Sequence, residues 1–155
     1  MALIRTAVTD APLDLAGEFA GVSNGRADVG AVVTFTGLCR DEDGRLEALE
    51  LEHYPGMAEA EITRIATLAA ERWEVEALTV LHRYGKVKPG EAIVLVVAAS
   101  SHRHAAFEAA EFVMDFLKTH APFWKKEHKL DGSATGWVEA RITDDEAEAR
   151  WSKDA

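Results

Sequence analysis

Between Ser101 and Pro122, the residues Ala106, Ala109, Ala110, Val113, Phe116 and Leu117 recur at three-to-four spacing, the period of a helix that must bury one apolar stripe. Ser101 is placed to cap its start, and the Pro122 ring forces Ala121 out of helical geometry at its end. Such a helix needs a partner surface. The run from Ala92 to Ala98 just before it, rich in Val, Ile and Leu, reads as a strand that can supply part of one.

The remaining segments fall into strand pairs separated by helices. Leu3 to Val8 reads as a first strand, after which Asp10 can cap a short helix through Leu15 and Phe19. Gly30 to Gly37 is β-branched and nearly continuous in apolar character, as expected of a strand covered on both faces. It leads into Leu38, Cys39 and Arg40. Asp43-Gly44 is a hairpin signal, and Leu49 to Glu52 alternates as a strand with one wet face.

Ala58, Ile62, Ile65, Leu68, Ala69 and Arg72 predict a second amphipathic helix ending near Trp73. Leu78 to Tyr84 and Ala92 to Ala98 form an antiparallel pair joined through Gly85 to Gly90. Asp131-Gly132 marks a turn, Thr135 to Glu139 a last short strand, and Thr143 with Glu146 a capping box that opens a final helix reaching Trp151. This order predicts an α+β fold with mostly antiparallel pairing, carried by residues 1–155 as one domain with a tail from about 143 that is helical.

The net charge of −10 argues against nucleic acid, which needs a basic face. Its distribution is uneven. Residues 1–81 hold 6 Lys/Arg against 15 Asp/Glu, net −9; residues 82–128 hold 7 against 5, net +2; residues 129–155 hold 4 against 7, net −3. Five of the six histidines also lie in the middle block. An acidic chain that keeps its cations in one segment points to a local anion site, not a polyanion surface.

His102-Arg103-His104 sharpens that expectation, because a helix N-terminus disfavours cations unless they share a task with its free N–H groups. Holding a phosphate or carboxylate is such a task; a solvated turn is the alternative. Lys118 lies at the other end, where a cation suits the dipole and Asp115 could pair with it. Past the proline, Phe123-Trp124-Lys125-Lys126-Glu127 combines two aromatics, two lysines and a carboxylate.

Other chemistries lack their residues. The chain contains no Gly-x-Gly-x-x-Gly after a strand, no Walker loop and no Gly-x-Ser-x-Gly. The histidines do not fall at chelating spacing, so a metal is not expected; no resident cofactor is expected either. Cys39 could be a nucleophile, but a lone cysteine after a buried strand reads first as an inert apolar residue. That single cysteine, with no long apolar run at the N-terminus, leads us to expect a cytoplasmic protein without a membrane span.

Five motifs in order then resemble one family. They are Gly30-Ala31-Val32-Val33-Thr34-Phe35-Thr36-Gly37 with Arg40; Leu51-Glu52-His53-Tyr54-Pro55-Gly56-Met57; His82-Arg83-x-Gly85; His102-Arg103-x-Ala105-Ala106-Phe107; and Lys118-x3-Pro122-Phe123-Trp124-Lys125-x-Glu127. Together, from about Val29 to Arg141, they resemble the catalytic large subunit of molybdopterin synthase.

The resemblance implies an α/β hammerhead with an added antiparallel sheet. It also implies transfer of sulfur to cyclic pyranopterin monophosphate, forming the dithiolene of molybdopterin in molybdenum cofactor biosynthesis. The sulfur donor would be the C-terminal thiocarboxylate of a small ubiquitin-like carrier ending in Gly-Gly. The assembly implied is a central homodimer with a carrier at each outer end, a heterotetramer whose substrate sites draw on both large subunits.

Carried over by position, Lys118 and Lys125 match the catalytic lysines. Arg40, His102 and Arg103 match substrate-anchoring positions, and Lys126 and Glu127 border the same pocket. Where family members can carry a basic residue after Thr-Gly, this chain has Leu38, so contacts at Leu38 and Cys39 would use backbone groups. Two other readings of the same cations remain: a non-catalytic module for an acidic peptide tail or phosphorylated metabolite, and a homodimeric structural protein with a solvated basic stripe.

Overall fold

A computed structural model describes residues 2–41, 44–137, 142–149 and 151–152. In chain order the elements are β1 (Leu3–Thr9), α1 (Leu15–Ser23), β2 (Ala31–Leu38), β3 (Leu46–His53), α2 (Met57–Arg72), β4 (Ala77–Arg83), β5 (Gly85–Val87), β6 (Ala92–Ser100), α3 (Arg103–His120), β7 (Phe123–Lys129) and α4 (Ile142–Ala149). They build the expected α+β architecture. One sheet has the order β1-β4-β6-β2, and a second, smaller antiparallel sheet has the order β5-β3-β7. Only β1 and β4 run parallel; every other pairing is antiparallel.

Strands β4 and β6 sit at the centre of the first sheet, which explains their unbroken apolar runs. Leu78, Val80, Val94, Val96 and Ala98 face α2 and α3, while Ala77, Leu81, Leu95, Val97 and Ala99 face the other way, toward Val22 of α1. Helix α3 buries Phe112 and Met114 in addition to the stripe read from its sequence. The face is wider because α2 and α4 also pack on it. Full burial of each large side chain contributes about 1.5–3 kcal/mol.

Several local expectations change. The cap of α1 is Asp14, whose Oδ1 accepts from the Gly17 N–H at 3.1 Å, not Asp10. Helix α3 starts one residue later than expected, with His102 at its cap, because the Ser101 hydroxyl is engaged by the Asp28 carbonyl at 3.2 Å. Asp43-Gly44 does not close a hairpin: β2 and β3 belong to different sheets, and Asp43 lies outside the described residues.

Strand β2 is not covered on both faces in this chain. It is an edge strand, and Phe35 and Leu38 remain 41% and 56% exposed. Leu68 of α2 is also exposed at 37%, at the margin of the buried face. Beyond β7, Ala134 makes an isolated bridge to His128 and residues 135–137 are not a strand; Val138 and Glu139 lie outside the described residues. Thr143 lies inside α4 and cannot be its cap, since that helix begins at Ile142. Trp151, just past α4, buries its ring and donates its indole N–H to Asp115 Oδ2 at 2.7 Å.

Two glycines matter for the layout. Gly85, at φ +83°, turns the chain out of the first sheet and into the second within two residues of β4. Gly30 lies against the entrance to α3: a Cβ there would stand 2.2 Å from the Ser101 carbonyl oxygen. Backbone on both sides leaves little room to yield. Gly30→Ala is therefore expected to cost about 1–3 kcal/mol, read as a lower urea midpoint at unchanged m-value. An unmoved midpoint would mean that the contact is loose.

Candidate active site

The site forms where the two sheets meet. On β4, Leu78, Val80 and His82 alternate onto the face that carries α2 and α3, so His82 ends that row. Helix α3 stops at Ala121, which is extended at φ −69°, ψ 126°, as the residue before a proline should be. The chain then enters β7, where Phe123 pairs with His53 of β3.

The Phe123 ring lies flat on His82, with centroids 3.8 Å apart and planes 15° from parallel. The same ring is 6.0 Å from His53, whose other neighbour is Tyr84 at 4.5 Å. His82, Phe123, His53 and Tyr84 thus form a continuous wall from the first sheet to the second. Sequence reasoning did not assign these residues to the site. The signal available was periodic: His82 stands where an apolar alternation should continue, and Phe123 lies two residues before Lys125, hence on the same strand face.

Lys118 and Lys125 both act on this wall. Lys118 projects from the last turn of α3, and Lys125 follows Phe123 on β7. Burial pushes His82 down to about 4; the bond to the Arg83 carbonyl opposes this, and the charges of Lys118, Lys125 and His53 push it lower still. The structure therefore brings the two lysines to one imidazole that is neutral at pH 7. Among the described residues Lys118 makes no ion pair, and Asp115, a turn earlier, accepts from Trp151.

The other expected residues divide between this site and elsewhere. Glu127 shares the strand face of Lys125. Arg40 is exposed on the loop after β2. That loop approaches the same strand, because Glu127 and Asp41 add to the burial that raises the thiol pKa of its neighbour Cys39. Cys39 itself is a core residue, 3% exposed and packed with Leu51 and Val87. Its N–H donates to Glu91 O and its carbonyl accepts from Gly90 N, each at 2.8 Å, so neither thiol nor backbone is presented to a ligand. Leu38 is exposed at the irregular end of β2.

Lys126 faces away from Lys125. It pairs with Glu50 across the strands, and its ammonium lies 4.8 Å from the Trp137 ring centroid. Within one chain it does not join the lysine pair, as strand alternation requires. His102 and Arg103 are also separated: they open α3, exposed, whereas Lys118 closes it, about 22 Å away at 1.5 Å per residue. The first turn contains no acidic residue, and His102 makes no side-chain cap.

Among the described residues, no group of three His, Cys, Asp or Glu side chains is gathered that could hold a metal ion. A shallow depression of about 620 Å³ between α2, α3 and α4 is lined by Leu68, Arg72, Phe112, Phe116 and Trp151 among others, and includes none of the lysine-site residues. The chemistry available at the wall is that of two ammonium groups and two imidazoles, suited to anions.

The chain is similar to known proteins over most of its length. Residues 8–120 match the family described as MoaE protein. The chain is 70% identical over 138 residues to the molybdopterin synthase catalytic subunit of Mesorhizobium japonicum, covering 89% of this chain and 87% of that one. It is 60% identical over 150 residues to the protein of the same name from Brucella melitensis, covering 97% and 92%. A solved structure, the molybdopterin biosynthesis MoaE protein from Burkholderia ambifaria, superposes with a TM-score of 0.81 at 45% identity, covering 98% of this chain and 99% of that one.

Proposed function

The chain belongs to the MoaE family, and from that premise we propose that it is the catalytic subunit of a molybdopterin synthase. It transfers sulfur from the C-terminal thiocarboxylate of a small ubiquitin-like carrier to cyclic pyranopterin monophosphate, giving the dithiolene of molybdopterin. The observation that carries this reading is the convergence of Lys118 and Lys125 on His82, two elements delivering ammonium groups to one wall. Both reactants are anions, one a phosphate and the other a thiocarboxylate. An ammonium 4 Å from such a charge contributes about 4 kcal/mol of Coulomb energy at an effective dielectric of 20.

In this reading Lys118 works at the carrier's thiocarboxylate and the developing intermediate, and Lys125 orients the pterin and stabilises charge. Arg40 and Glu127 border the pocket from the loop after β2 and from β7. His102 and Arg103 serve the site of a second copy, since their distance from Lys118 along α3 keeps them out of their own. A homodimer would also cover the exposed apolar residues of edge strand β2. The relatives' designation as a subunit fits a second, smaller chain, and the complete assembly is a heterotetramer.

We place the reaction in the cytoplasm; among the described residues no helix is long and apolar enough to cross a membrane.

The test is incubation with the pterin precursor and a thiocarboxylated carrier, followed by detection of the dithiolene product. Sulfur-dependent product is expected. Tight carrier binding without product would favour the non-catalytic module instead.

A further inference from the structure

The main chain at Arg40 is held on both sides. Before it, Cys39 is gripped by the turn between β5 and β6: its N–H donates to the Glu91 carbonyl and its carbonyl accepts from the Gly90 N–H, each at 2.8 Å. That turn is itself closed. The Glu91 N–H donates to the Lys88 carbonyl at 3.0 Å, and the Glu91 carboxylate accepts from the Lys88 N–H at 2.7 Å, with the buried Arg83 guanidinium 3.9 Å away. After it, Asp41 Oδ1 accepts from the N–H groups of Arg45 and Leu46 at 3.1 and 3.2 Å, tying the loop to the start of β3.

The side chain of Cys39 locates this held segment. It packs with Leu49, Leu51 and Val87 in the core of the second sheet. Leu51 pairs directly with Lys125 and Leu49 with Glu127, so Cys39 lies on the sheet face that carries those two β7 side chains. Arg40, the next residue, leaves the chain beside that row.

We propose that Asp41 is a positioning residue for Arg40, its carboxylate fixing the main chain so that the guanidinium meets the phosphate of the pterin without any ordering of the loop on binding. This rests on the sulfur-transfer reading, in which Arg40 borders the pocket, and adds to it a residue that touches neither reactant. An arginine on a loose loop binds weakly, because its chain must be ordered at the moment of contact; a loop ordered beforehand avoids that loss. The residue type follows from reach and charge. A short side chain with an acceptor oxygen can turn back to nearby N–H groups, and a carboxylate engaged by two of them opposes an anionic substrate less than a free one would.

The experiment is steady-state dithiolene formation at saturating thiocarboxylated carrier by Asp41→Ala, Asp41→Asn, Arg40→Ala and the double alanine variant. Asp41→Ala is expected to raise the pterin KM roughly 10-fold with kcat nearly unchanged, as a weakened ground-state anchor does. Asp41→Asn keeps the acceptor and should stay within about threefold of wild type. The double variant should be no worse than Arg40→Ala alone, because Asp41 acts through that side chain.

Amide exchange at Arg45 and Leu46 checks the bonds themselves: protection in the wild type is expected to be lost in Asp41→Ala and kept in Asp41→Asn. Losses that multiply in the double variant would overturn the proposal. So would a normal pterin KM in Asp41→Ala, an asparagine variant as weak as the alanine, or unprotected amides in the wild type. Each of these leaves sulfur transfer standing, whereas a wild-type protein that makes no dithiolene defeats that reading and the proposal with it.

Discussion

Lys118→Ala is expected to lower the rate of dithiolene formation about 10²- to 10³-fold, the effect of removing one group that meets developing charge. The loss should appear in kcat. It should not appear in stability. Lys118 is exposed and makes no ion pair among the described residues, so the fold gives up only its favourable place at the helix C-terminus, about 0.3–1 kcal/mol.

Lys118→Arg separates the possible contributions. Arginine keeps the charge but does not deliver a proton or a neutral amine near pH 7. Recovery of activity with arginine would assign Lys118 an electrostatic task; continued loss would assign it amine chemistry. Normal turnover by the alanine variant would remove Lys118 from the site altogether, whatever the carrier binds.

The second large effect is a gain. Neither Arg103→Ala nor Lys118→Ala homodimers should be active, yet a co-expressed equal mixture should regain about a quarter of wild-type activity if each site is shared across a two-fold axis. In the mixed dimer one site receives both intact residues and the other receives neither. The length of α3 holds Arg103 and Lys118 of one chain about 22 Å apart, too far to serve one site together. Product formation by the unfractionated mixture is the measurement, and purified mixed dimers should reach about half of the wild-type rate. No recovery above either parent would mean that Arg103 does not serve the partner's site.

The helix that bears these two residues was the most legible element, since its apolar period, its proline stop and the cations at its ends all stand in the sequence. Strands β4 and β6 were legible for a related reason: a strand buried on both faces must be apolar throughout. The site was legible as a set of cations but not as a geometry. Nothing local distinguishes Lys125, facing the wall, from Lys126, facing Trp137, until the register with β3 is known.

The separation of Arg103 from Lys118, by contrast, could have been measured from helical rise alone. The hairpin at Asp43-Gly44 failed because turn chemistry states that a chain reverses, not which strand it then joins. His82 is one imidazole at the end of an apolar strand, and nothing local shows what it meets. Only the stack with Phe123, fixed by pairing of distant segments, shows what surrounds it.

The second sheet draws its three strands from widely separated parts of the chain: Leu49 pairs with Val87 on one side and with Glu127 on the other. Closing such long loops is slow, so these pairings come after the local helices and the β4–β6 pair during folding. Lys125 is therefore expected to reach its place only once β7 has found β3. Catalytic competence then depends on the most distant contacts of the chain, not on the local elements that carry its lysines.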